Sequence, residues 1–344
     1  MSSILKVAVI GTGSLGKEHV RIYSELARAS RVELAGVYDS VTETAQKIAV
    51  KHGVRVFSSV AEAAAASDAL SLVTPTITHF ELARLLLQQG KHLLVEKPMT
   101  DNAAQAAELV LLAQQKRCVL QVGHVERFNP VFNYLETVVT DPRFIEVHRL
   151  SPFPARSTDI GVVLDLMIHD LDVVLAFVKS PVTSVDAVGI SVLSKSEDFA
   201  NARLRFANGC VANLTASRVS LERMRKIRVF SGGANPSYVS LDYRAQEGYL
   251  CRIARNGEEE SSLLKKLLSA KDATIVSEFG GKRIVREPVP IEKVEPLKVE
   301  LQSFVDCVRS RQTPVVSGES AKLSLDLAFE ITRQIQEANL TLPK

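Results

Sequence analysis

At 344 residues the chain is long for one hydrophobic core, so two domains are expected. Apolar residues make up 46% and charged residues 24%, and a net charge of +3 is small beside 42 basic and 39 acidic side chains, so composition offers no case for a nucleic-acid or membrane partner. Four scattered cysteines (Cys118, Cys210, Cys251, Cys307) without C-x-x-C spacing argue against a metal site and a disulfide framework.

The first stretch, Lys6 to Gly16, sets the organisation. A β-branched run ends in G-x-G-x-x-G, and Lys17 to Tyr23 continues with helical spacing. Gly11 suits a tight turn, Gly13 a close approach of backbone to pyrophosphate, and Gly16 close packing of helix on strand. With Thr12, Ser14 and Leu15 between them, these residues form the expected dinucleotide-binding turn, whose free N–H groups face the phosphates. Val32–Tyr38 reads as the next strand, and Asp39 at its end suits the ribose hydroxyls of NAD and repels the 2′-phosphate of NADP.

From Val7 to about Gln121, strands alternate with helices, the pattern of parallel βαβ units. Helices are expected at Thr44–Lys51, Ala61–Ala66, Phe80–Gln89 (closed by Gly90) and Ala103–Gln115. Strands are expected at Gly53–Phe57, Ala69–Val73, His92–Val95 and Cys118–Gly123. Ligands bind beyond the carboxyl ends of strands in such a sheet, which puts Thr74-Pro75 and Glu96-Lys97-Pro98 at the site.

Beyond Gly123 the character changes. His124–Pro130 reads as the crossing into a second domain, with residues 1–123 before it and 124–344 after it, the last helices able to pack back on the first domain. A helix at Val131–Val139 and a strand at Phe144–Leu150 precede a proline-rich loop, and Val163–Phe177 reads as one helix stopped before Pro181. The signal from Val182 to Arg255 is β, with a hairpin turn at Asn208-Gly209 and an alternation that leaves one sheet face exposed. That face is the expected interface of a homodimer or homotetramer. Asn256 to Glu287 reads as a mobile hairpin or loop, and the helices Val299–Arg309 and Glu319–Gln336 close the chain. No apolar run approaches the ~20 residues of a membrane span, and the first strand begins within a few residues, so a cytoplasmic protein is expected.

Gly11–His19, Thr74–His79, Glu96-Lys97-Pro98, the D-x-x-x-H pattern Asp165–His169 and the late Glu295–Phe304 with Pro314 together resemble the Gfo/Idh/MocA family. The resemblance implies an N-terminal Rossmann domain, a C-terminal α+β domain with a large, mostly antiparallel open sheet, and NAD(P)-linked oxidation or reduction of a sugar or cyclitol. It implies that Lys97 contacts substrate and cofactor across an often-cis bond to proline, and that Thr74, Pro75, His79 and Glu96 belong to the cofactor side. His124–Pro130 with Arg149–Arg156 further resembles the subgroup acting on UDP-N-acetyl sugars, which forms a 3-keto sugar for lipid A or surface-polysaccharide synthesis. That implies substrate contacts from Glu126, Arg127 and Arg156, the arginine forks matching pyrophosphate oxygens.

Asp165 and His169, four apart on a helix, share a face. Oxidising an alcohol requires removal of a hydride and a proton. NAD takes the first, and a histidine, which titrates near neutrality, suits the second. Asp165 would hold the imidazole, and Lys97 would stabilise alkoxide charge. A metal held by His169 and Asp172 lacks a third ligand. A dehydrogenase of a free sugar, polyol or cyclitol, and a non-catalytic NAD-binding regulator, are the alternatives.

Overall fold

Five short runs of Val, Leu, Ala and Ile, too apolar to face water on either side, form a parallel sheet. They are β1 (Lys6–Ile10), β2 (Glu33–Tyr38), β3 (Ala69–Leu72), β4 (His92–Glu96) and β5 (Leu120–Gly123), in the order β2-β1-β3-β4-β5. The structure, a computed structural model, describes residues 4–153, 160–233, 236–254, 274–279 and 282–341. Helices α1 (Gly16–Arg28), α2 (Thr42–His52), α3 (Val60–Ala66), α4 (His79–Gln88) and α5 (Ala103–Lys116) connect the strands.

The chain divides into two units, each described separately. The first runs to Phe128 and takes in Glu295–Asp326, which contains α8 (Pro296–Ser310). Leu301, Phe304, Val305 and Val308 of α8 join Val20, Tyr23 and Leu26 of α1 in the buried core. Local caps mark the boundaries: Asn102 Oδ1 accepts from the Ala104 and Gln105 N–H groups ahead of α5, and Gly53 ends α2 in the left-handed region.

The second unit covers Asn129–Val294 and the chain from Leu327 on, so the division falls inside the last helix, α9 (Gly318–Thr341). Its sheet has nine strands: β6 (Pro142–Leu150), β7 (Val182–Ile190), β8 (Phe199–Phe206), β9 (Val211–Ser217), β10 (Met224–Ser231), β11 (Ser237–Asp242), β12 (Glu247–Ile253), β13 (Thr274–Phe279) and β14 (Lys282–Pro288). They lie in the order β13-β14-β12-β11-β10-β6-β9-β8-β7. Neighbours are antiparallel except β6 and β9, which run parallel. Buried Ile145, Val147, Ala212, Leu214, Ile227 and Val229 line one face. Two helices, α6 (Pro130–Val138) and α7 (Ile168–Val178), belong to the same unit, α7 being buried along most of its length.

Two expectations change. Gly53–Phe57 forms no strand but one parallel bridge, Val56 to Val37, because hydrogen bonds to Val37 from either side are all that it adds at the sheet edge. Val163–Phe177 is not a single α-helix: it opens with a π turn over Val163–Met167. In Asn256–Glu287 the described part is the hairpin of β13 and β14, and residues 255–273, 280 and 281 lie outside the described residues. No helix among the described residues is long and apolar enough to cross a membrane.

Candidate active site

The glycine turn follows β1 as its residue types require. Gly11 has φ +90°, and a Cβ there would sit 2.4 Å from the Val73 carbonyl oxygen. A Cβ on Gly16 would fall 2.0 Å from the Gly11 carbonyl oxygen, so only glycine allows α1 to start this close to the strand. Around Gly13 nothing lies within 4 Å of the Cβ position, leaving its backbone open to a ligand. No side chain caps α1, whose N-cap is Leu15, and an unfilled helix N-terminus is a ready anion site.

Asp39 reaches back across the turn. Its Oδ2 accepts from the Thr12 N–H at 2.7 Å and the Thr12 hydroxyl at 2.9 Å, and its Oδ1 accepts from the Val41 N–H at 2.9 Å. With three of its about four acceptor sites taken, the carboxylate keeps one for a ribose hydroxyl. Turn, open helix end and carboxylate therefore fit a dinucleotide.

The next two strand ends are tied together by a histidine. His79, the first residue of α4, is 1% exposed, with Nδ1 3.0 Å from the Pro98 carbonyl oxygen and Nε2 2.8 Å from that of Thr74. The Thr78 hydroxyl donates to the Pro75 carbonyl at 2.8 Å and lies 2.7 Å from Thr74 Oγ1, whose own hydroxyl can donate back to it. Burial pushes the His79 pKa down, against the Pro98 and Thr74 carbonyls and the Glu96 charge. The Lys97–Pro98 peptide bond is cis.

Glu96 is buried at the end of β4. Its Oε1 lies 3.1 Å from His19 Nε2, its Oε2 accepts from the Lys97 N–H at 3.3 Å, and its carboxyl oxygens stand 2.6 and 2.8 Å from where a Cβ on Gly123 would be. His19 escaped the sequence reading because its partner is 77 residues away; its place four residues after Leu15 on the buried face of α1 is the signal that could have found it. Past β5, Glu126 and Arg127 sit in a 3₁₀ turn, Val125–Phe128, with Glu126 buried and Arg127 half-buried.

In the second unit, Asp165 lies in the π turn, where the Ile168 N–H bonds the Val163 carbonyl five residues back, and His169 follows in the first turn of α7. Both are half-buried, whereas Asp170 and Asp172 are buried. π turns often mark functional positions. Beside His169, Asp170 takes a bidentate hydrogen bond from Arg149 of β6, both contacts 2.8 Å. This pins α7 to the sheet. Arg149, read from sequence only as part of the region carrying the substrate resemblance, is a structural anchor. Arg156 lies outside the described residues.

Two family models match the chain. The GFO_IDH_MocA oxidoreductase family with NAD-binding Rossmann fold matches residues 5–124, and the GFO/IDH/MocA C-terminal domain matches residues 136–232. The UDP-N-acetylglucosamine 3-dehydrogenase of Acidithiobacillus ferrooxidans is 34% identical over 328 residues, spanning 95% of this chain and 96% of that protein. A solved structure of that enzyme, GnnA, superposes with a TM-score of 0.85 over 97% of this chain and 98% of that one, at 33% identity. An inositol 2-dehydrogenase of Rhizobium meliloti is 28% identical over 97% of both chains.

Proposed function

This chain belongs to the Gfo/Idh/MocA family of NAD-binding oxidoreductases, and we propose that it oxidises the 3-hydroxyl of a UDP-linked N-acetylamino sugar, UDP-N-acetylglucosamine or its uronate, to a 3-keto sugar. The observation that carries the substrate is the likeness, over nearly the whole of both chains, to an enzyme named for that reaction. Such a product suits an aminotransferase step in lipid A or surface-polysaccharide synthesis. Four free cysteines fit a reducing cytoplasm.

When bound, NAD supplies the hydride acceptor. The glycine turn of Gly11, Thr12, Gly13, Ser14, Leu15 and Gly16 holds its pyrophosphate, and Asp39, Thr74, Pro75 and Glu96 address the rest of the dinucleotide. The His169 imidazole takes the proton from the hydroxyl oxygen. Asp165 stabilises the resulting cation, and Lys97 Nζ stabilises the developing alkoxide. Arg127 and Arg156 bind the substrate pyrophosphate, with Glu126 beside Arg127 in the chain.

The test is to incubate protein, NAD and UDP-N-acetylglucosamine with a carbonyl-trapping reagent, which draws the equilibrium toward the 3-keto product, and to follow reduced nicotinamide. Turnover of free inositol with none of the nucleotide sugar would replace this reading by the cyclitol one, which the inositol dehydrogenase relative favours. Asp39→Ala is expected to raise the KM for NAD about tenfold and to make NADP usable, because one charge-assisted hydrogen bond to the ribose and one repulsive charge are lost together.

The outward face of the nine-stranded sheet is the proposed surface for a second copy. Phe144, Phe230, Tyr238 and Tyr249 form a run of ring contacts across it with centroids 4.7 to 6.0 Å apart, and Phe230 is 42% exposed. Phe230→Asp is expected to shift a dimer or tetramer to monomer in sedimentation; a monomeric parent protein would overturn the assignment.

A further inference from the structure

Lys97 sits between two residues that are each gripped by a buried histidine from a different helix. On its amino side, His19 of α1 holds the Glu96 side chain at 3.1 Å. A carboxylate only accepts, so His19 Nε2 carries the hydrogen. On its carboxyl side, His79 of α4 faces the Pro98 carbonyl at 3.0 Å and reaches the Thr74 turn at 2.8 Å with its other nitrogen. Both imidazoles are almost fully buried, at 0% and 1% exposure.

We propose that His19 and His79 are positioning residues that hold the backbone of Lys97 from its two sides, His19 through the Glu96 carboxylate and His79 through the Pro98 carbonyl. This rests on the reading of Lys97 as the group that stabilises the alkoxide. A lysine side chain is long and loses much rotamer freedom when fixed, so the accuracy of its ammonium depends on a backbone that does not move. The Glu96 carboxylate passes the hold of His19 to the chain by accepting the Lys97 N–H, and Gly123 gives that carboxylate the room to do so. His79 adds the second point, and because its other nitrogen reaches Thr74, it keeps the strand ends of β3 and β4 in one register. His79, expected from sequence on the cofactor side, thus has both ring nitrogens turned to protein carbonyls and acts on the site through the backbone.

The brace works through N–H donors rather than ring shape. A neutral ring carries one N–H, so substituting His79→Phe keeps the volume and removes that donor, whereas His79→Gln retains an amide N–H. In the full-length protein, assayed with NAD and UDP-N-acetylglucosamine, His79→Phe is expected to lower kcat about 10- to 100-fold, the cost of a misplacement of order 1 Å, with NAD affinity by fluorescence titration within about threefold. His79→Gln should recover most of that loss. His19→Leu and His19→Gln should follow the same order. Circular dichroism checks that each variant is folded.

The decisive arm is a double-mutant cycle with Lys97→Met. If the histidines act through Lys97, His79→Phe costs nothing further in the Lys97→Met background. An equal fractional loss in both backgrounds overturns the brace while leaving Lys97 in place. A fully active Lys97→Met protein overturns the reading of Lys97 itself, and His79→Phe at the parent rate beside an inactive Lys97→Met overturns the brace alone.

Discussion

His169→Ala is expected to lower the rate of NAD-linked oxidation of UDP-N-acetylglucosamine by about 10²- to 10⁴-fold, the range a single general base supplies. The dinucleotide turn lies on other elements, so titration of NAD into the variant should give an affinity close to the parent's. Rate and binding thereby separate. The pH dependence should change with the mutation as well. An imidazole must be neutral to accept a proton, so the parent kcat/KM should fall in acid, and the residual rate of the variant should lose that limb. His169→Gln, which keeps a polar group and no basic nitrogen, should behave like alanine. A variant within a few-fold of parent rate would remove His169 from the chemistry. Unchanged behaviour of a non-catalytic response, with no turnover in either protein, would instead favour a cofactor-binding regulator.

How legible these residues were depended on how far away their partners lie. The first unit was readable almost strand by strand, because parallel strands buried on both faces are continuous apolar runs and the glycine turn has a fixed spacing. In the second unit the individual strands could be read from alternation, but not their order. Nothing local to Pro142–Leu150 says that it inserts between β10 and β9 and pairs in parallel with the latter. The π turn was hidden for a similar reason. Its start is set by a distant side chain: Glu197 Oε1 accepts from the Val163 N–H, its backbone carbonyl accepts from Val162, and Gly161 has no Cβ because that carboxylate occupies the space. Propensity in Val163–Phe177 contains no trace of this. The pairs His19–Glu96, Arg149–Asp170 and Arg218–Asp198 are 77, 21 and 20 residues apart, so each partner alone looked like an ordinary charged residue.

The last of these pairs carries the largest expected effect on stability. Asp198 and Arg218 are both fully buried. Asp198 Oδ2 accepts from the N–H groups of Val192, Leu193 and Ser194 at 2.6 to 2.9 Å, and Oδ1 accepts from the Ser194 hydroxyl and Arg218 Nε at 2.7 and 2.8 Å. Arg218 also donates to the Ile160 carbonyl and to Ser194 Oγ. Burial alone would push the Asp198 pKa up. The Leu193 and Ser194 donors and the Arg218 guanidinium override it and hold the carboxyl well below the usual carboxylate range. Asp198→Asn keeps the shape but leaves Arg218 charged and uncompensated, which costs about 3–5 kcal/mol. For a unit of this size that lowers Tm by about 10 °C in calorimetry. The pH dependence has a definite sign. A carboxyl whose pKa is lower folded than unfolded stabilises fully above the unfolded value, near 3.9, and progressively less as pH falls below it. The Tm gap between parent and Asp198→Asn should therefore be constant near neutrality and start to narrow below about pH 4, where the unfolded parent takes up a proton that the folded carboxyl still refuses, closing only as pH falls through the lowered folded value. Because Glu197 next to it sets the start of the turn bearing Asp165, turnover should fall in this variant even well below its Tm. A gap that persists undiminished into acid would mean that the asparagine disturbs packing, and that the charge on Asp198 is not what secures Arg218.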